Sequence, residues 1–427
     1  MTTRIAATAH LEEALERDRA DPLSACRDQF HIPLTATGKP QSYFCGHSLG
    51  LQPRSTATLI DEELQAWKTQ GVAGHFTGPR PWLSYHELMT PTLADLCGAL
   101  PIEVVAMNSL SVNLQLLLIS FYRPTPQRHR ILIEASAFAS DRYAVSAQLK
   151  LHGYDPAQAL VELSPRPGED LLRTEDLLSV IEREGHSIAT ILLPGVQYLT
   201  GQLFDMQRIT RAAQQHGCTI GFDLAHAIGN VPLQLHDWNV DFAVWCSYKY
   251  LNSGPGAIGG AFVHERHAQN QQLPRLAGWW GHDKKTRFAM PHDYAPLPGA
   301  EGWQLSNPSV FACAPLLSSL DIFRQAGLPA LRSKSVQLTT YMYSLLQEYS
   351  PQISIITPAD PQQRGCQLSL RLPMTYTESK LIHEQLINQG MVCDWREPDI
   401  IRVAPTPLYN TFEDVWKLVH TLQGLLK

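Results

Sequence analysis

Between residues 131 and 263 the chain alternates short apolar runs with longer helical patterns. No other feature constrains its fold as strongly. Ile131-Leu132-Ile133, Ile188 to Leu193, Thr219 to Phe222, Phe242 to Trp245 and Gly260 to Val263 read as buried strands. Residues 141–152, 173–183 and 206–216 read as the helices between them. This order predicts an α/β domain with a mainly parallel sheet covered on both faces. In such sheets ligands collect beyond the carboxyl ends of the strands. The third run closes on Asp223, the first candidate for chemistry.

The pattern changes elsewhere. Residues 274–308 are rich in Pro, Gly and Trp and read as loops. Beyond Asn307-Pro308, helices over 314–325 and 331–348 precede strand-like runs at 353–356 and 367–372, and a helix opens at Thr411. We expect three units: residues 1–60 packing with the small domain, a large domain over 61–308, and a smaller α+β domain over 309–427.

Composition narrows the function class. Lys plus Arg is 34 against 40 Asp plus Glu, a formal charge of −6, with no basic block. A nucleic-acid partner is therefore not expected. The longest apolar stretch, around Leu116 to Tyr122, is far short of the ~20 residues of a membrane span. Met1 to Asp21 is charged and helical, with no apolar core of a signal peptide. The eight cysteines are widely spaced and contain no C-x-x-C, which suits reduced thiols in the cytoplasm.

Two blocks carry the chemistry. Gly221-Phe222-Asp223-Leu224-Ala225-His226 ends one strand, and Trp245-Cys246-Ser247-Tyr248-Lys249-Tyr250-Leu251-Asn252 follows the next, before a glycine-rich turn. This arrangement suits pyridoxal phosphate. Its pyridine nitrogen must stay protonated beside a carboxylate, and its aldehyde needs an amine. An isolated Asp and Lys would be a helix cap and a surface cation; the two blocks together reverse that reading. Asn108 to Leu114 puts small polar residues at a helix start, where free N–H groups suit a phosphate. Phe138-Ala139-Ser140-Asp141 offers a stacking ring and a second acid.

The chain resembles the kynureninases, fold-type-I pyridoxal phosphate enzymes of the class V aminotransferase group. The resemblance runs from about Tyr43 to Tyr409. It rests on Gly46-His47-Ser48-Leu49-Gly50, Gly78-Pro79-Arg80-Pro81-Trp82, Gly195-Val196 with Thr200-Gly201-Gln202, the two blocks above, Gly278-Trp279-Trp280-Gly281-His282, Ser306-Asn307-Pro308 and Arg402-Val403-Ala404-Pro405. It implies hydrolysis of L-kynurenine to anthranilate and L-alanine, in tryptophan degradation and NAD biosynthesis, by a cytoplasmic homodimer. Lys249 would be the Schiff-base lysine and Tyr248 the proton donor. Asp223 would pair with the ring nitrogen, near His226 and Asp141. Phe138 would stack on the ring, followed by Ala139 and Ser140. Leu110, Ser111, Tyr248 and Trp279 would surround the phosphate, with Asn307 at the site.

Arg402 would grip the substrate carboxylate, with Ser48, His75 and Asn307 also toward substrate. His75 and Asn307 match the branch that favours 3-hydroxykynurenine. Ala139 replaces a family Pro, and Pro194 replaces a Ser that would lie near the cofactor. No metal ligation is expected. The competing reading is another fold-type-I enzyme, a cysteine desulfurase or an aminotransferase. A desulfurase would need a reactive Cys on a mobile loop, and Cys366 and Cys393 lie in strand-like contexts instead.

Overall fold

The computed structural model describes residues 2–270 and 272–426. In chain order its strands are β1 (Ser42–Tyr43), β2 (Val104–Ala106), β3 (Arg130–Glu134), β4 (Leu160–Leu163), β5 (Ile188–Pro194), β6 (Thr219–Asp223), β7 (Phe242–Cys246) and β8 (Gly259–Val263). The later ones are β9 (Ser354–Ile355), β10 (Leu368–Arg371), β11 (Met391–Val392), β12 (Asp394–Arg396) and β13 (Ile400–Val403).

The central sheet has seven strands in the order β2-β8-β7-β6-β5-β3-β4. The inner pairs β3–β4, β3–β5, β5–β6 and β6–β7 are parallel, whereas β8 runs antiparallel to both β7 and β2. The five apolar runs all form strands of this sheet. Two of its strands, β2 and β4, carry no long apolar run. β2 is three residues long, and β4 is a half-buried edge strand, so neither shows the pattern of a doubly covered strand.

Helices cover both faces. Leu110–Phe121 and Ala139–Leu151 pack on one side through Leu114, Leu117, Leu118, Ala144, Val145 and Leu149. Thr174–Glu184 and Met206–Gln215 pack on the other through Leu177, Ile181, Ile209 and Ala213. The helix Val310–Ala326 buries Cys313, Leu316, Leu320 and Phe323 in the same core. A second core begins at Leu338 and gathers Leu368, Leu370, Ile401, Val403, Val415 and Leu418 around the four-stranded sheet β12-β13-β10-β9. We therefore propose that the two domains meet within the helix Leu328–Tyr349. Ala14 and Phe44 join the second core, and β1 pairs with β11.

Close packing at the sheet centre demands a residue without a side chain. A Cβ on Gly221 would lie 2.1 Å from the Phe242 ring. The ring cannot retreat, because it stacks on Phe121 at 5.0 Å. Gly221→Ala is expected to cost about 1–3 kcal/mol by overpacking, read as a lower urea midpoint with an unchanged slope.

Candidate active site

The carboxyl ends of β3, β5, β6 and β7 converge on one cavity, lined among others by Glu134, Pro194, Asp223 and Cys246. Asp223 is the last residue of β6 and is buried. Its carboxylate accepts the Ala225 N–H at 2.7 Å and a hydrogen bond from Asp141. Burial, and then the charge of Asp223, push the Asp141 carboxyl well above the usual aspartate range. Burial raises Asp223 as well, but the Lys249 charge, the Ala225 N–H and the Asp141 hydrogen bond offset part of that. The pair therefore holds a shared proton, with Asp141 the acid and Asp223 the carboxylate.

Lys249 follows β7 and lines the same cavity. Its ammonium lies 5.8 Å from the centre of the Phe138 ring and 5.9 Å from that of Tyr248. Among the described residues it makes no hydrogen bond or ion pair within the chain. The backbone at Lys249 is fixed from behind. Gly50 donates its N–H to the Tyr248 carbonyl at 2.8 Å, and a Cβ on Gly50 would meet the Lys249 carbonyl at 2.3 Å. Burial pushes the Tyr248 phenol upward, so it is a protonated donor at neutral pH. His226 also lines the cavity and is kept neutral, first by burial and then by the charges of Lys249 and Arg402.

The helix Leu110–Phe121 points its N-terminus at the cavity, with Leu110 and Ser111 in the wall. Asn113 fixes that turn by donating to the Met107 carbonyl at 2.8 Å and accepting from Asn108 at 3.0 Å. No side chain caps the helix, so its first N–H groups are available to an anion. Phe138 and Ser140 complete the wall, while Ala139 between them is exposed and does not line it.

Arg402 lies on β13, 1 % exposed. Its Nε donates to Asp394 at 2.8 Å, its Nη1 to the Tyr198 carbonyl at 2.6 Å and its Nη2 to the Ser48 hydroxyl at 3.3 Å. Ser48 in turn donates to Asp394 at 3.0 Å. Tyr198 is a cavity residue, so Arg402 stands directly behind the wall.

Three expected site residues stay apart from this cavity. His75, Trp279 and Asn307 are not in its wall. Asn307 is exposed. His75 packs on Trp82 at 5.3 Å, Phe76 on Phe288 at 6.2 Å, and Phe288 on Trp279 at 5.4 Å. Phe76, Trp279 and Phe288 are 59 %, 44 % and 51 % exposed, an open aromatic surface. The Gly78-Pro79-Arg80-Pro81-Trp82 motif supports this patch: Arg80 and Trp82 both hydrogen-bond the buried Glu63, at 2.7 and 2.8 Å.

The cavity also contains residues given no role from the sequence, notably Glu134, Val196, Tyr198, Ala225 and Cys246. Of these, Val196, Ala225 and Cys246 sit in the quoted motifs and Tyr198 between two of them, whereas Glu134 carries no such signal.

Residues 331–422 match the family model of the kynureninase C-terminal domain. A kynureninase of Myxococcus xanthus is 56 % identical over 412 residues, covering 96 % of each chain. One of Koribacter versatilis is 54 % identical over 407 residues, covering 95 % of each. The chain belongs to the kynureninase family. Among solved structures, a cysteine desulfurase of Escherichia coli superposes with a TM-score of 0.76 at 16 % identity, covering 95 % of this chain and 98 % of that one. A cysteine desulfurase of Thermococcus onnurineus gives 0.73 at 16 % identity, covering 90 % and 94 %. Those likenesses establish the fold, fold type I.

Pyridoxal phosphate is the cofactor of this family, and the residues present fit it. A buried carboxylate with a shared proton suits the ring nitrogen. Lys249 has no partner of its own, and the open helix N-terminus suits the phosphate.

The Arg402–Asp394 pair makes its own prediction. Burial opposes ionisation of Asp394, but the Arg402 hydrogen bond and charge outweigh it and hold the carboxyl at about 2. A depressed carboxyl contributes stability above the unfolded value, about 4, and loses it as pH falls toward about 2. Asp394→Asn is expected to cost about 3 kcal/mol at pH 7, since Arg402 is left buried and unpaired. It should also flatten the acid loss between those two values, measured by urea unfolding across pH.

Proposed function

We propose that the chain hydrolyses the Cβ–Cγ bond of L-kynurenine, and preferentially of its 3-hydroxy analogue, releasing the aryl acid and L-alanine. One observation carries the reading: the Asp141–Asp223 pair and Lys249 face one cavity, with Arg402 against its wall. The desulfurase alternative would need an activated thiol on a loop, and Cys246, the cysteine in the cavity wall, ends β7 with its thiol pushed up by burial. Burial pushes the Cys366 thiol to about 12, and Cys393 is buried and pushed well up too.

Bound here, the cofactor would supply an electron sink for negative charge at Cα and Cβ. Asp223 would hold the ring nitrogen, with Asp141 keeping the shared proton beside it. Phe138 would cover one ring face, and Leu110 and Ser111 would present N–H groups to the phosphate. Arg402 would take the substrate carboxylate, with Ser48 giving up its Nη2 contact to it. Lys249, once displaced by the substrate amine, accepts the Cα proton. Water adds its hydroxyl to the γ-carbonyl carbon, and the Cβ–Cγ bond breaks with its electron pair left on Cβ. Tyr248, protonated at neutral pH, delivers the proton that Cβ takes up, and the proton that water leaves behind restores the phenol. Lys249 then returns its proton to Cα. The sum is one water consumed, its oxygen in the aryl carboxylate.

His75, Trp279 and Asn307 enter this scheme from a second copy. The exposed aromatic surface of Phe76, Trp279 and Phe288 is the face on which two chains would join. Trp279 would then reach the partner's phosphate, and His75 and Asn307 the substrate's aryl ring, where polar groups reward a 3-hydroxyl. The eight unpaired cysteines suit a cytoplasmic setting, and no described helix is long and apolar enough to cross a membrane.

Lys249→Ala is expected to abolish product formation from both kynurenines while leaving the circular dichroism spectrum unchanged. Retained turnover would sink the assignment. Steady-state kinetics on the two substrates should give the 3-hydroxy compound the higher kcat/KM. Mixing Lys249→Ala with Trp279→Ala chains after reversible dissociation should restore about a quarter of wild-type activity, because half the dimers regain one intact site. A monomer by light scattering, or no complementation, would refute the shared site.

A further inference from the structure

Glu134 ends β3, lines the cavity and is 3 % exposed, yet the proposed reaction gives it no role. Its side-chain partner is Gln197, whose Nε2 donates to it at 3.3 Å and to the Ser136 carbonyl at 3.4 Å. The other end of Gln197 folds the turn that follows β5. Its Oε1 accepts the Leu199 and Thr200 N–H groups at 2.6 and 2.8 Å. Its backbone closes the same turn, accepting the Gly201 N–H at 2.9 Å and donating to Gln202 at 2.8 Å.

With these N–H groups turned inward, the carbonyls of residues 198–200 turn outward to the C-terminal domain. Tyr198 O accepts from Arg402 Nη1 at 2.6 Å and Gln367 at 3.0 Å. Leu199 O accepts from Ser369, and Thr200 O from Thr357, both at 2.5 Å. Tyr198 also sets its ring edge-on to Phe138 at 5.2 Å. Gly201 can only be Gly here: its φ is +74°, and a Cβ would lie 3.0 Å from the Gln367 carbonyl.

We infer that Gln197 is a positioning residue for Arg402: braced on Glu134, it folds the turn whose Tyr198 carbonyl holds the guanidinium at the cavity wall. The inference rests on the reading of Arg402 as the substrate-carboxylate site. Burial supports the pairing by pushing the Glu134 carboxyl to about 7, with the Gln197 hydrogen bond offsetting part of the rise. A half-neutral acid beside an amide is a pair that tolerates exchange of its two groups.

The test uses the purified holoenzyme and four readouts. These are the dissociation constant of L-alanine from the visible cofactor band, KM against kcat, cofactor affinity, and Tm. Gln197→Ala should weaken L-alanine binding and raise KM about tenfold or more, with kcat within about threefold. Cofactor affinity should be unchanged, while Tm falls because Glu134 and the Leu199 and Thr200 N–H groups lose a buried partner. Gln197→Glu sets two acids together and should be impaired. The exchange variant, Glu134→Gln with Gln197→Glu, restores an amide facing a carboxyl and should recover L-alanine binding. If Gln197→Ala does not fold, the last two variants carry the comparison alone. L-alanine binding within about twofold of wild type in Gln197→Ala would overturn the inference. So would a folded Gln197→Ala whose cofactor affinity falls in parallel with L-alanine binding, or an exchange variant no better than Gln197→Glu. Arg402→Met separates the two claims: if it leaves L-alanine binding unchanged, the reading of Arg402 itself fails, whatever Gln197 does.

Discussion

A negative charge has to survive at the carboxyl edge of the sheet, where little water reaches it. Asp223 is 7 % exposed, and burial alone would neutralise it. Three features oppose that outcome, and each comes from a different element. The turn after β6 presents the Ala225 N–H, the helix Ala139–Leu151 brings Asp141 with the shared proton, and the segment after β7 brings Lys249. Parallel neighbours make this convergence possible, because their carboxyl ends open on the same side. The glycine at the centre of β6, the stacked rings beneath it and the helices on both faces serve to hold those ends in register.

The second half of the site belongs to no single domain. Arg402 stands on β13, Asp394 on β12, Ser48 on the N-terminal segment and Tyr198 on the turn after β5. The Gly46 to Gly50 motif is the bridge. Gly50 lies against the Lys249 backbone, while Ser48, two residues away, joins Arg402 and Asp394. One short segment thus ties the lysine to the arginine. A rigid spacing between them matters for an amino-acid substrate, whose amine and carboxylate are separated by a single carbon.

Much of this could be read along the chain, and the limits have physical causes. Strands buried on both faces announce themselves as apolar runs, so β3 and β5 to β8 were legible; β2 is too short and the edge strand β4 too polar to give that signal. Asp223, Lys249 and the Leu110–Ser111 turn were legible because their chemistry is set by local blocks at strand ends. Glu134 and Gln197 were not. Each is an ordinary polar residue until the turn closes and brings the two together. His75, Trp279 and Asn307 came from family resemblance, and one chain leaves them on a surface. On the proposed reading a second copy would bring them back to the site, which a motif in one chain cannot reveal. The helix Val310–Ala326 shows the same limit for domains, since its pattern reveals an apolar face but not which core receives it.

If Arg402 is the substrate-carboxylate site, as proposed, its bonds suit a buried cation that must stay stable before substrate arrives. An unpaired guanidinium behind the wall would be costly, and Asp394 neutralises it. That pairing occupies the side of the fork formed by Nε and Nη2, at 2.8 and 2.7 Å. At the end formed by Nη1 and Nη2, only the Nη2 contact is loose. Tyr198 takes one Nη1 hydrogen, and Ser48 accepts from Nη2 at 3.3 Å, the longest of the set. A substrate carboxylate that replaces the Ser48 contact gains a charge-assisted bond at the expense of a weak neutral one. Ser48 loses nothing, because its own hydrogen remains on Asp394. The arginine is thus paired well enough to be stable and loosely enough at one end to bind.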